Sequence, residues 1–259
     1  RLFVLCLSCM FAHVWTWHLW FFLFMVARQP KSTLSSSSAA SDVYKIHDLT
    51  CERDFAMMAK ANDLEFDQYV NRIRFVNPMT QQSLTSMLGD LSVVAADILP
   101  SCSLDTVVFC CTSASALIGE QAIQNAIWQS KPNTKIITTA SASVASLLAK
   151  GYKKISLLTP YSKSISHGVA NYFNDNGLEV VSLTYMDIKD DRDVARLPVE
   201  SIIDAAKAAV DPSAEALFIS CTAMRVVEIK DELERELGIP IFSSNHSTFW
   251  QTMKAIKLA

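Results

Sequence analysis

Two Cys-Thr pairs are the residues best suited to chemistry. Cys111-Thr112 follows the apolar run TVVFC, and Cys221-Thr222 follows ALFIS; the two cysteines are 110 residues apart. A cysteine at a strand end, just before a helix, meets unpaired backbone N–H groups and the positive end of the helix dipole. That setting lowers a thiol pKa from its reference of about 8.5 and favours the thiolate. The same N–H groups, with the hydroxyls of Thr112, Ser113 and Thr222, can hold a carboxylate. One thiolate and one thiol on opposite sides of a planar carbon can take a proton from one face and return it to the other. Alternatively, the thiolate can add to an activated double bond and later leave. A single apolar-Cys-Thr run is ordinary core, but two at matched positions in a repeated context point to catalysis. Cys110 alternates with Cys111, so one faces the core and the other faces outward, and spacing alone leaves open which. Cys51 and Cys102 read as structural, and the C-x-x-C of Cys6 and Cys9 as incidental.

These cysteines must be carried by regular elements, and the chain supplies them. Short apolar runs at 104–110, 134–140, 153–160, 178–185, 215–221 and 239–244 read as strands. Segments 80–98, 115–130, 141–150, 163–176, 199–210 and 225–237 read as helices, the last with Gly238 as its C-cap. Strand–helix alternation predicts parallel sheets covered by helices, with ligands at the C-terminal strand ends. An internal repeat is visible. TVVFCCTSAS (106–115) parallels ALFISCTAMR (216–225), and TKIITTASAS (134–143) parallels IPIFSSNHST (239–248). KISLLTPYSKS (154–164) opens the second half, and YKIHDLTCERD (44–54) is the candidate opening of the first. The expected α/β architecture is two pseudo-symmetric lobes, 42–150 and 151–259, each a short parallel sheet flanked by helices. The active site would lie in the cleft between them.

Composition narrows the function classes. The 259 residues carry 23 Lys+Arg against 26 Asp+Glu, which argues against nucleic acid as a partner. No two of the six glycines form G-x-G, and no G-x-x-x-x-G-K occurs, so dinucleotide and P-loop fingerprints are absent. No two of the five histidines have an H-x-x-H or H-E-x-x-H spacing, so no metal site is expected. No cofactor is implied. Seven cysteines in a chain of this size suggest free thiols and a reducing, cytoplasmic setting. Residues 1–41 differ from the rest. Leu2 to Ala27 contain no charged residue, a length that suits an N-terminal membrane anchor; an equal alternative is a translated upstream stretch with no role in the fold. Ser32 to Ser41 form a Ser-rich linker, and folded sequence is expected from near Asp42.

The motifs RIRFVNPMT (72–80), CTSASALIGE (111–120), LLTPYS (157–162), DVARLPVESI (193–202), ALFISCTAMR (216–225) and IPIFSSNHSTFW (239–250) resemble the Asp/Glu racemase superfamily. Within it they resemble the maleate isomerase and arylmalonate decarboxylase branch, and CTSASALIGE with LFISCTAMR is most similar to the ectoine-utilisation protein A group. The resemblance implies that Cys111 and Cys221 are the catalytic pair. It implies that Tyr161 binds a substrate carboxylate, with Thr112, Ser113 and Thr222 beside the cysteines. Asp48 and Asp191 stand where maleate isomerases carry carboxylate-binding asparagines. Asp repels a carboxylate where Asn would donate to it, so a substrate with one carboxylate and a cationic or polar end fits better than a dicarboxylate.

The resemblance therefore implies a cofactor-independent isomerase or racemase-type enzyme acting on a small carboxylate. Ectoine- or hydroxyectoine-type degradation and maleate cis-trans isomerisation are the two substrate readings, and assembly as a homo-oligomer is implied as well. A decarboxylase or lyase on the same scaffold, or a non-catalytic relative that binds a small molecule, are the alternatives. Arylmalonate decarboxylases keep only the second-lobe cysteine, which favours the isomerase. Asn245 and His246 read as a helix start, His167 as surface and Arg225 as a solvated or paired cation.

Overall fold

The computed structural model describes residues 18–27, as backbone, and residues 50–256. Cys6, Cys9, the Ser-rich stretch and Asp48 lie outside them. Eight strands form two four-stranded sheets. The first contains β1 (His18–Ala27), β2 (Asp67–Val76), β3 (Thr106–Cys110) and β4 (Lys135–Thr138) in the order β2-β1-β3-β4. The second contains β5 (Lys154–Thr159), β6 (Glu179–Tyr185), β7 (Ala216–Ile219) and β8 (Ile241–Ser243) in the order β6-β5-β7-β8. The orders match strand for strand, so the repeat seen in TVVFC and ALFI becomes a repeat of position: β3 and β7 are interior strands, each pairing on one side with a short strand that opens a helix.

The second sheet is parallel throughout, with Leu157 opposite Phe218 and Phe218 opposite Phe242. In the first, β3 and β4 are parallel, but β1 runs antiparallel to both β2 and β3. This corrects two expectations. The part of the 44–54 candidate that is described is not strand: from Thr50 the chain is helix α1 (Thr50–Ala61), and residues 44–49 lie outside the described residues. The sheet position that β5 fills in the second half is filled instead by residues 18–27, expected to lie apart from the fold. An aromatic- and aliphatic-rich run satisfies the facing edges of β2 and β3, and an antiparallel strand needs no crossover helix to reach them. No helix among the described residues is long and apolar enough to cross a membrane.

Both faces of each sheet are covered. Along β3, Val107 and Phe109 join the main core while Val108 and Cys110 face a second cluster with Cys51, Phe55, Phe249 and Met253. That period of two explains why all five β3 residues are buried. The Phe55 and Phe249 rings meet edge-on at 5.4 Å. The helices are α2 (Gln81–Ser86) and α3 (Leu91–Ala96), α4 (Thr112–Ile118) and α5 (Glu120–Trp128), and α6 (Thr139–Ala149). In the second half they are α7 (Lys163–Asp175), α8 (Asp191–Ala195), α9 (Val199–Ala209), α10 (Lys230–Leu237) and α11 (Ser244–Ala255). Ile165, Val169 and Phe173 give α7 one buried stripe at helical spacing, and Phe173 meets Phe218 of β7 at 5.1 Å. The segment expected as one helix over 115–130 is two. Gly119, at φ 88°, ends α4 and starts α5, a backbone angle that glycine adopts without a Cβ clash. The helix expected from 225 begins only at Lys230 and does end on Gly238, at φ 63°.

Candidate active site

Cys111 and Cys221 occupy matched sheet positions but different backbone settings. Cys111 is the N-cap of α4 in an extended conformation, with its carbonyl accepting from Ser115 N–H at 2.9 Å. Its sulfur lies 3.7 Å from Ser113 Oγ. It therefore has the strand-then-helix environment that the sequence predicts. Cys221 does not. It has φ 98°, a region that costs a non-glycine residue roughly 1–3 kcal/mol. The chain turns sharply there. Ala223 N–H donates to Cys221 Sγ at 3.4 Å, Met224 N–H to Cys221 O at 3.3 Å, and a buried loop follows before α10.

Several candidate residues converge on this pair. Tyr161, just past β5, is fully buried. Burial pushes its phenol well above the ordinary range, and the nearby charges of Cys221 and Cys111 push it the same way. Ser220 Oγ donates to Tyr161 Oη at 3.4 Å. Asp191, the first residue of α8, is buried and accepts from Cys221 Sγ at 3.9 Å. Its neighbour Asp190 turns away to pair with Arg192, whose donated hydrogen bonds hold the Asp190 carboxyl below its usual value. Thr112 and Ser113 open α4 and Thr222 follows Cys221, all buried. Of the residues singled out from sequence, the structure brings together Cys111, Cys221, Thr112, Ser113, Tyr161, Asp191 and Thr222. Asp48 is outside the described residues.

Two partners, Ser244 and Asp54, were not anticipated, and a third, Asn245, was read as a helix start. Ser244, at the start of α11, bonds Cys221 N–H at 3.0 Å and Thr112 Oγ1 at 2.8 Å. Asn245 Nδ2 donates to Thr222 O at 2.9 Å and to Asp54 Oδ2 at 2.7 Å. Asp54, on α1, is fully buried, and desolvation raises its pKa to about 6 against the hydrogen bonds from Asn245 and Arg53. The hydroxyl-rich SSNHST stretch was the available signal for Ser244; nothing local marked Asp54. The remaining residues read as expected. Arg225 is paired, with Leu197 O at 2.8 Å and Glu228 at 3.6 Å, and His167 is exposed. His246 follows the N-cap Ser243, and burial lowers its pKa to about 4.

The site is secluded. Cys111 is 2% exposed and Cys221 4%, so both residues are shielded from solvent. A groove of about 850 Å³ lies elsewhere, between α1, α6, α10 and α11, and none of the candidate residues lines it. Among the described residues no group of three or more His, Cys, Asp or Glu is arranged to hold a metal ion.

Known proteins share this arrangement of elements. The chain is 26% identical over 142 residues to maleate isomerase from Alcaligenes faecalis, covering 54% of this chain and 56% of that protein. It is 28% identical over 124 residues to maleate isomerase from Geobacillus stearothermophilus, covering 48% and 49%. The chain thus spans about half the length of these relatives. A solved structure of Nocardia farcinica maleate cis-trans isomerase is a cysteine-to-serine mutant with a covalently bound succinylcysteine intermediate. It shares the fold at TM-score 0.74 and 21% identity, over 82% of this chain and 89% of that one. Arylmalonate decarboxylase is the family that matches, over residues 71–259. With that match covering most of its length, the chain belongs to the arylmalonate decarboxylase family.

Proposed function

We propose that this protein is a cofactor-independent isomerase that uses Cys111 and Cys221 on a small carboxylate. The observation that carries the reading is that one oxygen, Ser244 Oγ, lies 3.0 Å from Cys221 N and 2.8 Å from Thr112 Oγ1, which brings the two Cys-Thr strand ends together. The Tyr161 phenol, kept protonated by burial, is a hydrogen-bond donor, suited to a substrate carboxylate, and Thr112, Ser113 and Thr222 supply further donors. The two cysteines take different roles. Cys111 caps a helix start, where a thiolate is favoured, and acts as the nucleophile. Cys221 lies against Asp191, and a carboxylate beside a thiol accepts its hydrogen bond and repels the thiolate, which suits Cys221 to proton donation. In the proposed reaction the Cys111 sulfur bonds to one alkene carbon, and the π pair moves to the other carbon and its conjugated carboxylate. Rotation about the resulting single bond follows. The pair then re-forms the double bond and expels the Cys111 thiolate; a proton lent by Cys221 in between is returned to it. The succinylcysteine in the Nocardia farcinica enzyme supports a sulfur–carbon adduct of this kind.

Asp191 narrows the substrate. Its carboxylate, buried against Cys221, opposes a second substrate carboxylate and favours a cationic or polar group at that end. A cyclic amidine such as ectoine or hydroxyectoine has one carboxylate and a cationic ring, which fits that demand; having no alkene, it would react by loss of the proton from the carbon bearing the carboxylate to one cysteine and return of a proton from the other, with no sulfur–carbon bond. Maleate, with two carboxylates, has the alkene but fits the Asp191 end less well.

The test is proton NMR in deuterated water with maleate, ectoine-type amidines and other small unsaturated carboxylates, using wild type, Cys111→Ser and Cys221→Ser. Isomerisation or deuterium uptake at one carbon is expected for wild type, falling at least roughly 1,000-fold in either variant. An unmodified Cys111 during rapid turnover would remove the covalent step. Carbon dioxide release without isomerisation would replace this reading with the decarboxylase activity also found in the family.

A further inference from the structure

Ser244 is fully buried at the first position of α11, and its one oxygen joins the two halves of the site. It accepts Cys221 N–H at 3.0 Å and shares a hydrogen bond with Thr112 Oγ1 at 2.8 Å. Cys221 follows a strand of the second sheet, and Thr112 follows a strand of the first. The internal repeat shows that this link is particular to Ser244. Its counterpart Thr139, first residue of α6, sends its hydroxyl to Phe109 O at 3.1 Å and stays within its own half. Cys221 also needs holding, because its φ of 98° persists only where surrounding bonds impose it. Ser244 provides the bond to its N–H.

A hydroxyl has one proton and two lone pairs. With one lone pair taken by Cys221 N–H, the Ser244 proton is free to point at Thr112 Oγ1. That leaves the Thr112 proton for a bound carboxylate, and each bond in such a chain polarises the next. The geometry points to Ser244 as a positioning residue that couples carboxylate capture by Thr112 to the placement of Cys221. This rests on the reading of Thr112 and Cys221 under the proposed function. Ser244 acts through both neighbours rather than on the reacting atoms.

Ser244→Ala, Ser244→Thr, Thr112→Val and the Ser244→Ala/Thr112→Val double variant test it in the full chain. The readouts are kcat and KM, and the pH profile of Cys221 alkylation by iodoacetamide, resolved by peptide mass spectrometry. Ser244→Ala should lower kcat roughly 10- to 100-fold, as small misplacements of reacting groups do. It should also raise KM and shift the Cys221 profile, and Ser244→Thr should restore all three to within about threefold. In the Thr112→Val background the same alanine change should cost less, because the Ser244–Thr112 bond is already gone and only the bond to Cys221 N–H remains to be lost. Wild-type kcat, KM and profile in Ser244→Ala, or full additivity in the double variant, would overturn the coupling. If wild type turns over none of the carboxylates, the proposed function fails, and Ser244 is still judged by alkylation. There a profile shifted by alanine and restored by threonine upholds the role, and an unchanged one ends it. Should the alanine variant not fold, Thr112→Val reports from the other end of the link, and an unchanged Cys221 profile there also overturns it.

Discussion

Asp54 shows how a residue remote from the sulfurs sets the conditions under which they are held. Its carboxyl is buried with a pKa of about 6, against 3.8 for an ordinary Asp, chiefly because desolvation penalises the charge. The folded state therefore favours the protonated form. That contribution to stability is fully present below about pH 4 and is lost as pH rises through 6, amounting to about 3 kcal/mol. Asp54→Asn cannot ionise. Urea unfolding of the two proteins at pH 4 and pH 7 should show the variant gaining on wild type by about 2 kcal/mol; a difference independent of pH would place the Asp54 pKa near its ordinary value. Legibility at this scale followed chemistry. Cys111, Cys221 and Tyr161 sit in short motifs whose residue types announce a role. Asp54, Ser244 and Ser220 acquire theirs from partners 191, 132 and 59 positions away in the chain, which no local pattern encodes.

Among the elements, the site depends on how closely helices approach. In α7, Gly168 faces Leu117 of α4, and a Cβ built there would lie 2.8 Å from Leu117 Cδ2. Both helices follow strands that carry candidate residues, Cys111 before α4 and Tyr161 before α7. Gly168→Ala meets only the mobile end of a leucine and gains helix propensity, so it should be close to neutral. Gly168→Val, with two more methyl groups at the contact, should destabilise by about 1–3 kcal/mol in a urea titration. An unchanged midpoint would show that α4 and α7 have room to spare. Helices α6 and α11 use hydroxyls in the same way, with Ser146 Oγ bonded to Ser247 Oγ at 2.7 Å. Strands and long amphipathic helices were legible because their period shows in the residue types. The 81–96 region was not. It breaks into α2, a 3-10 turn (Met87–Asp90) and α3, a division made by packing.

At the scale of the molecule, the two halves enclose both sulfurs while Cys102 stays at the surface. Among the described cysteines, a bulky aromatic disulfide reagent should therefore label Cys102 fast, followed peptide by peptide in mass spectrometry, with Cys111 and Cys221 labelled far more slowly. Rapid labelling of Cys221 in the unliganded protein would mean that the halves part freely. The repeat in the sequence foretold matched strands, and the identical sheet orders carry them. It did not foretell that the central strand of the first sheet comes from residues 18–27 in reversed direction.

The amino-acid sequence alone determined the α/β class, the doubled Cys-Thr arrangement and the family resemblance, because each is written in local periodicity and short motifs. Only the tertiary structure decided that Cys221 occupies a strained turn against Asp191 while Cys111 caps a helix, and that Ser244 joins Cys221 to Thr112. Those outcomes depend on which backbone groups meet when two sheets close on each other. That meeting is set by packing and desolvation across the whole chain rather than by any residue's neighbours in sequence.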